Sequence, residues 1–385
     1  MSVKWTQSYV NEQKAHLKAE VVAWRKEGGE ERVLQGIMQA IDSLNLRTSS
    51  DCLKMYLLGV FGLIAHRNSG LLTDAQSRKL SSCCFTALRA NKIDPEFSKL
   101  AYLYADIHAL DGQIACKEGC YWGGIWQQLA AKRYLRETTP DSAEYHSLTL
   151  AQRYLRQGML DESQKLLLNL LQAPKETQGS TNLWNPAVLC QLIILRLKND
   201  INAADIFTNE VIADTRLSPE SKIDCEWEAF CRVASKDGQT REMRKATKIG
   251  GRHFEACYIV EHSLWEMALG EFGQAIKPIN LEKQRYNRKI NFRQLGDFYE
   301  IACALQGCLD KEIPTGVRLE KIGSALIHAR RVDSLDWELL IWLAAKNVLR
   351  RAQMNNFAAM CSFEYRSLSL RISQGISPDV LGIDG

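Results

Sequence analysis

Two clusters of basic residues in the C-terminal half suggest a binding chemistry. The first cluster is spaced i, i+3, i+4, i+7 and i+11, so one helical face would carry it; its members are Arg241, Arg244, Lys245, Lys248 and Arg252. The second cluster comprises Lys283, Arg285, Arg288, Lys289 and Arg293. Arginine offers a planar fork of donors that matches carboxylates and phosphates. We therefore predict that these residues bind an acidic partner or a phosphate group.

Two other interpretations of the basic clusters are open. They could form a solvated outer face that keeps the chain dispersed in water. They could also bind nucleic acid through the basic helices of residues 241–293, which would make the protein a regulator. A formal net charge of +4 is mild for 385 residues, and stacking aromatic residues are not interleaved with the basic ones. The sequence therefore favours a protein or peptide partner over nucleic acid.

The chain lacks the motifs of common catalytic and cofactor sites. It contains no phosphate-binding glycine loop, no HExxH pair and no GxSxG turn. Cys116 and Cys120 are spaced i, i+4, but no second pair of ligands accompanies them as in structural zinc sites. We expect no catalytic residue, no metal site and no cofactor, and hence no enzyme. A third alternative function is that of an enzyme with a helical fold, but no sequence motif supports it.

A recurring turn organises the chain. Stretches with apolar residues at helical spacing end in Gly or Asn about 40 residues apart, at Gly28, Gly70, Gly112, Gly158, Asn199, Gly238, Gly270, Gly307 and Asn355. No stretch alternates polar and apolar residues for long enough to predict a strand. This pattern predicts an all-α fold of stacked helical hairpins.

The amino-acid sequence around several turns resembles that of tetratricopeptide repeats. The closest similarity is in residues 270–275, where Gly270, Phe272 and Ala275 match the turn of that family, and residues 158–163 are similar. In the segment 144–177, Leu150, Ala151 and Tyr154 fall at the small and apolar positions of the first helix. The resemblance implies a right-handed α-solenoid of about nine stacked hairpins. The period near 40 exceeds the 34 residues of that family, so HEAT-like repeats are the near alternative.

The predicted organisation is a single α-solenoid over residues 1–385. It comprises an N-terminal cap helix (1–27), helical hairpin repeats (28–372) and a C-terminal tail (373–385). The N-terminal sequence is polar and does not have the apolar segment of a signal peptide. The longest apolar run near the start, Met55–Ala65, is shorter than the roughly 20 residues that span a membrane. We expect a cytoplasmic protein.

The predicted function follows from the architecture. A solenoid offers an extended surface for other molecules, and a groove between helices suits an extended or helical peptide. We expect a non-catalytic scaffold or adaptor that binds a partner protein or peptide in its concave groove. The partner could be acidic and bind through the basic C-terminal half.

Overall fold

The computed structural model describes residues 5–44, 48–93, 99–117, 120–135, 140–172, 181–237, 255–272, 301–310, 312–329 and 335–374. All regular secondary structure in these ranges is helical. None of the helices they contain is long and apolar enough to cross a membrane. The chain divides into two compact units, Met1–Leu150 and Ala151–Gly385. The prediction that one continuous array spans residues 1–385 stays a prediction.

Unit 1 contains long helices around an apolar core. They are α1 (Gln7–Ser43), α2 (Ser49–Ser69), α3 (Asp74–Ala90), α4 (Tyr102–Lys117) and α5 (Tyr121–Leu135). Helix α6 (Pro140–Arg156) begins in this unit and ends in the second. Helix α2 packs against α1, α3 and α4, and α4 packs against α5. Side chains buried from water at the centre of unit 1 include Ile37, Leu53, Leu58, Leu63, Leu80 and Leu103.

Local chemistry explains where these helices begin and end. The side chains of Thr6, Thr48 and Thr73 each accept a backbone N–H from the first turn of α1, α2 and α3, which satisfies a donor without a helical partner. Helix α2 ends at Gly70, whose φ of 64° is left-handed. Helix α1 is kinked at Gly28 and Gly29, which is where the predicted cap helix 1–27 ends.

The turn predicted at Gly112 is wrong, because Gly112 lies inside α4. Its role is close packing between helices. A Cβ atom at Gly112 would stand 3.0 Å from the carbonyl oxygen of Gly124 on α5, and one at Gly124 would collide with the Cys116 sulfur. Glycine at these positions lets α4 and α5 approach each other, so here it replaces a side chain rather than ending a helix.

Unit 2 continues with shorter helices. They are α7 (Leu160–Leu171), α8 (Thr181–Leu197), α9 (Ile201–Ile212), α10 (Pro219–Asp237), α11 (Glu255–Leu269), α12 (Thr315–Ala329), α13 (Leu335–Arg351) and α14 (Asn355–Gln374). Residues 301–307 are also helical. Helix α8 packs against α7, α9 and α10, whereas α13 packs against α11, α12 and α14. The core includes Leu264, Leu305, Ile341, Trp342 and Val348.

Most of the turns predicted in unit 2 are confirmed. Gly158 and Asn199 have φ values of 79° and 58° and separate consecutive helices, and Gly270, with a φ of 82°, directly follows the last residue of α11. Gly307 closes a helical stretch. The prediction at Asn355 is displaced: Asn355 begins α14, and the left-handed residue of that turn is Gln353 (φ 62°). Gly238 lies outside the described residues, as do positions 375–385 of the predicted tail.

Candidate functional site

A cavity of about 910 Å³ lies within unit 2. Three helices supply most of its apolar wall: Trp265 and Leu269 come from α11, Leu339, Leu340 and Leu343 from α13, and Tyr365 and Ile372 from α14. Within each set the residues recur three, four or seven positions apart, with Leu340 directly after Leu339, so each helix presents one face to the cavity. A space of this volume and lining is typical of clefts that bind ligands.

Two turns predicted from the sequence also line the cavity. The first connects α6 to α7 at Gly158, and the second connects α8 to α9 at Asn199. The N–H of Met159 donates to the Tyr154 carbonyl at 3.0 Å, and that of Asp200 donates to the Leu195 carbonyl at 2.9 Å. These bonds satisfy carbonyls at the ends of α6 and α8. The turns are thereby fixed in place at the margin of the cavity.

A buried arginine forms the centre of the charged wall. Arg196 on α8 donates from Nε to Glu228 on α10 at 2.5 Å and from Nη2 to Asp336 on α13 at 3.1 Å. The three side chains are each less than a tenth exposed. Burial alone would lower the pKa of Arg196, but the two carboxylates outweigh it and raise that pKa. Arg196 therefore stays charged and joins three helices at the cavity wall.

A second buried ion pair attaches α13 to α6. Arg156 Nη2 lies 2.6 Å from Glu338 Oε2, and the two side chains are 4% and 8% exposed. Glu338 Oε1 also accepts the indole N–H of Trp342 at 3.2 Å. Nearby, a Cβ atom at Gly158 would lie 3.5 Å from Ile372 of α14. Helices α13 and α14 therefore contact the first helices of unit 2, and the cavity lies between these two sets.

A further buried carboxyl lies behind the wall, on α11. Glu261 accepts the indole N–H of Trp227 at 2.8 Å and the thiol of Cys231 at 3.4 Å. Burial raises the pKa of Glu261 to about 7, although the Trp227 bond favours the charged form. Asp336 and Arg196 lie close enough to influence it electrostatically. Near neutral pH the charge of this carboxyl thus responds to small changes in its surroundings.

The basic residues predicted as the binding site fall outside the described residues. They are Arg241, Arg244, Lys245, Lys248, Arg252, Lys283, Arg285, Arg288, Lys289 and Arg293. The described cavity carries both signs of charge, from Asp161, Glu162, Lys198, Arg196 and Asp336. The prediction of a basic site therefore stays a prediction that rests on the sequence.

Sequence reasoning missed the charged residues that do line the cavity. Arg196 lies outside the apolar stripe of α8, which is ordinary for a surface residue. Its partners are 32 and 140 residues away, so no local pattern reveals that it is buried. The available clue was an arginine between Leu195 and Leu197 in an otherwise apolar helix. Among the described residues, no group of three His, Cys, Asp or Glu side chains could hold a metal ion.

Comparison with known proteins shows the fold. No protein-family model matches the chain, and no curated protein matches it either. A solved structure described as "Crystal Structure of Rap Protein Complexed with Competence and Sporulation Factor" is similar, with a TM-score of 0.56 and 10% sequence identity. The match covers 96% of this chain and 100% of that chain. The prediction of an all-α, tetratricopeptide-like helical repeat fold is thereby confirmed.

Proposed function

We propose that this chain is a non-catalytic binding protein that takes a short segment of a partner protein or a peptide into the cavity of unit 2. The observation that carries the proposal is the cavity itself, which has about 910 Å³ of space and an apolar wall shared by three helices. The similar Rap protein is complexed with Competence and Sporulation Factor, which supports a binding role for this type of helical fold.

The lining indicates which part of a segment would enter. Leu339, Leu343 and Tyr365 offer an apolar surface to one or two aliphatic or aromatic side chains, and such anchors dominate the free energy of most interfaces. The buried charges of the wall are already paired, so the anchor need not carry a charge to satisfy them. Asn199 is exposed at the margin. Its amide suits the alternating donors and acceptors of an extended main chain.

The experiment is selection of peptides on the purified full-length chain. A phage-displayed library of random dodecapeptides would be panned, and binders would be measured by fluorescence polarisation. We expect apolar anchors among the selected peptides and dissociation constants below about 100 µM. A library without such a binder would contradict the proposal.

A matched pair of variants locates the binding site. Ser369 on α14 lines the cavity, whereas Ser367 on the same helix is exposed and does not line it. Ser369→Trp would place an indole ring in part of the cavity and should weaken binding of the selected peptides at least about tenfold. Ser367→Trp should leave their affinity unchanged. Equal affinity for both variants would show that the peptides bind elsewhere.

The finer prediction of an acidic partner is a separate proposal. It rests on the basic clusters between residues 241 and 293 alone, because the described cavity contains charges of both signs. The contribution of the first basic cluster is tested below with an acidic polymer.

A further inference from the structure

A second, smaller cavity lies in unit 1, between α1, α2 and α4. Its volume is about 140 Å³, close to the engineered apolar cavity of about 150 Å³ that accommodates benzene. An occupant would therefore have about six non-hydrogen atoms. Part of the wall is apolar and is made of Val10, Leu57, Val60, Phe61 and Leu103.

The remaining wall contains a carboxylate without a direct partner. Asp106 on α4 lines the cavity, and within the described residues no hydrogen bond or ion pair joins it to another side chain. Burial raises the pKa of Asp106 to about 6, and the charge of Lys14 opposes this increase. Asp106 is partly buried, so its carboxylate loses part of its hydration, which has a cost in free energy. A group that donates to Asp106 inside the cavity would remove this cost.

Helix α1 turns three polar residues toward the same space. Gln7, Asn11 and Lys14 are spaced i, i+4 and i+7, so they lie on one helical face. The amide of Gln7 donates to Asn11 Oδ1 at 3.1 Å, which leaves the Asn11 NH₂ group able to donate to another oxygen. Lys14 is exposed and provides a positive charge. The cavity is thus bordered by one carboxylate, one ammonium group and an amide donor, together with the side chains of Tyr56 and Tyr102.

We propose that this cavity binds a small free α-amino acid such as alanine or glycine. The ligand ammonium group would donate to Asp106, and the ligand carboxylate would accept from Lys14 and the Asn11 amide. The short side chain would contact Val10 and Val60. Alanine has about six non-hydrogen atoms, which matches the volume. An isolated amine would meet the charge of Lys14, and an isolated carboxylate would meet that of Asp106, so the zwitterion fits both.

The test is isothermal titration calorimetry on the full chain at neutral pH with three probes: L-alanine, methylammonium chloride and sodium acetate, at equal ionic strength. We expect L-alanine to bind with a dissociation constant below about 20 mM, and each half-molecule to bind at least about tenfold more weakly. Asp106→Asn and Lys14→Met should each weaken L-alanine at least about tenfold. Lys18→Met is the control, since Lys18 is exposed on α1 and does not line the cavity.

Three results would overturn the proposal. They are no heat with L-alanine on the unmodified chain, binding of L-alanine to both cavity variants as strong as to the unmodified chain, and methylammonium binding as strong as that of L-alanine. Circular dichroism shows whether the variants fold. If one does not, the comparison of the three probes on the unmodified chain still decides. Selection of peptides on unit 2 does not depend on this outcome, so the two proposals succeed or fail separately.

Discussion

The buried pair between Arg156 and Glu338 allows a quantitative test of how α13 is held. Arg156→Met removes the guanidinium from a contact of 2.6 Å and leaves the Glu338 carboxylate, only 8% exposed, without its charge partner. Breaking a buried ion pair on one side typically costs about 3–5 kcal/mol, because the remaining charge is not compensated. We expect a loss of this size in the free energy of unfolding, measured by urea titration with far-UV circular dichroism.

The size of this effect can be separated from general damage by a second variant. Glu338→Gln keeps the acceptor for Trp342 and removes the charge. In the double variant Arg156→Met/Glu338→Gln no ionised group of the pair stays buried, so most of the stability should return, to within about 2 kcal/mol of the original chain. A double variant as unstable as Arg156→Met would refute the electrostatic explanation.

A surface pair provides the matched control. Lys165 lies 3.0 Å from Glu162 on α7, but its side chain is 70% exposed. Water screens such pairs, and they contribute about 0.2–0.5 kcal/mol. Lys165→Met should therefore change the unfolding free energy by no more than about 0.5 kcal/mol. A loss comparable to that of Arg156→Met would show that burial is not the deciding factor.

Three further predictions concern a buried acid, a turn and the basic clusters. Burial raises the pKa of Glu261 from 4.5 to about 7. Between these pH values the folded state retains a proton that the unfolded state releases, so stability falls as the pH rises. Glu261→Gln should therefore be more stable than the original chain above pH 7 by up to about 3 kcal/mol, measured by urea unfolding at several pH values. Gly158→Ala places a side chain at φ 79° and should cost about 1 kcal/mol in thermal or urea unfolding. Alanine at Arg244, Lys245 and Lys248 together should weaken retention of the protein on immobilised poly-L-glutamate at low salt. Helical content should not change.

Each of these predictions has a control or a contradicting result. Glu261→Gln should match the original chain below pH 4.5, and an equal gain at every pH would contradict the titration argument. Gly323 lies inside α12, and a Cβ atom added to it would meet no other atom within 4 Å. Gly323→Ala should therefore stabilise by about 1 kcal/mol, in contrast to Gly158→Ala. Unchanged retention of the triple variant would remove the first basic cluster as a site for acidic partners.

Local features of the sequence were sufficient to predict the fold and several of its turns. Gly70, Gly158 and Gly270 are left-handed residues just after the end of a helix, and glycine adopts that conformation at little cost. Gly112 carries the same local pattern but serves close packing with Gly124. That role depends on a helix that follows later in the chain, so the residues around Gly112 do not reveal it.

One helix start differs from the one that its local sequence pattern indicates. Asn185 and Pro186 have the pattern of a cap followed by proline, yet α8 begins at Thr181 and contains Pro186. The Asn185 side chain instead accepts the Ser218 N–H at 3.0 Å and donates to the Arg216 carbonyl at 3.3 Å. It therefore holds the segment before α10. Ser218, which also precedes a proline, does cap its helix: it accepts the Ser221 N–H in the first turn of α10 at 3.1 Å.

The candidate site was predictable only in part. The turns at Gly158 and Asn199 came from the repeat pattern, and both line the cavity. The charged wall could not be predicted from the repeat pattern, because Arg196 and Asp336 are far apart in the chain and their burial depends on how α8 and α13 pack against each other. Such pairs have no periodicity of their own. Only the folded arrangement makes them neighbours.

The attachment of α13 to α6 and α8 changes how unit 2 should open. In a linear array each repeat contacts only the adjacent repeats, so the terminal repeats can unfold independently of the others. Here α13 is anchored by Arg156 and Arg196, which belong to the first helices of the unit. Amide hydrogens of α13 should then exchange with solvent only when much of the unit opens, which makes this late helix a cooperative part of the fold.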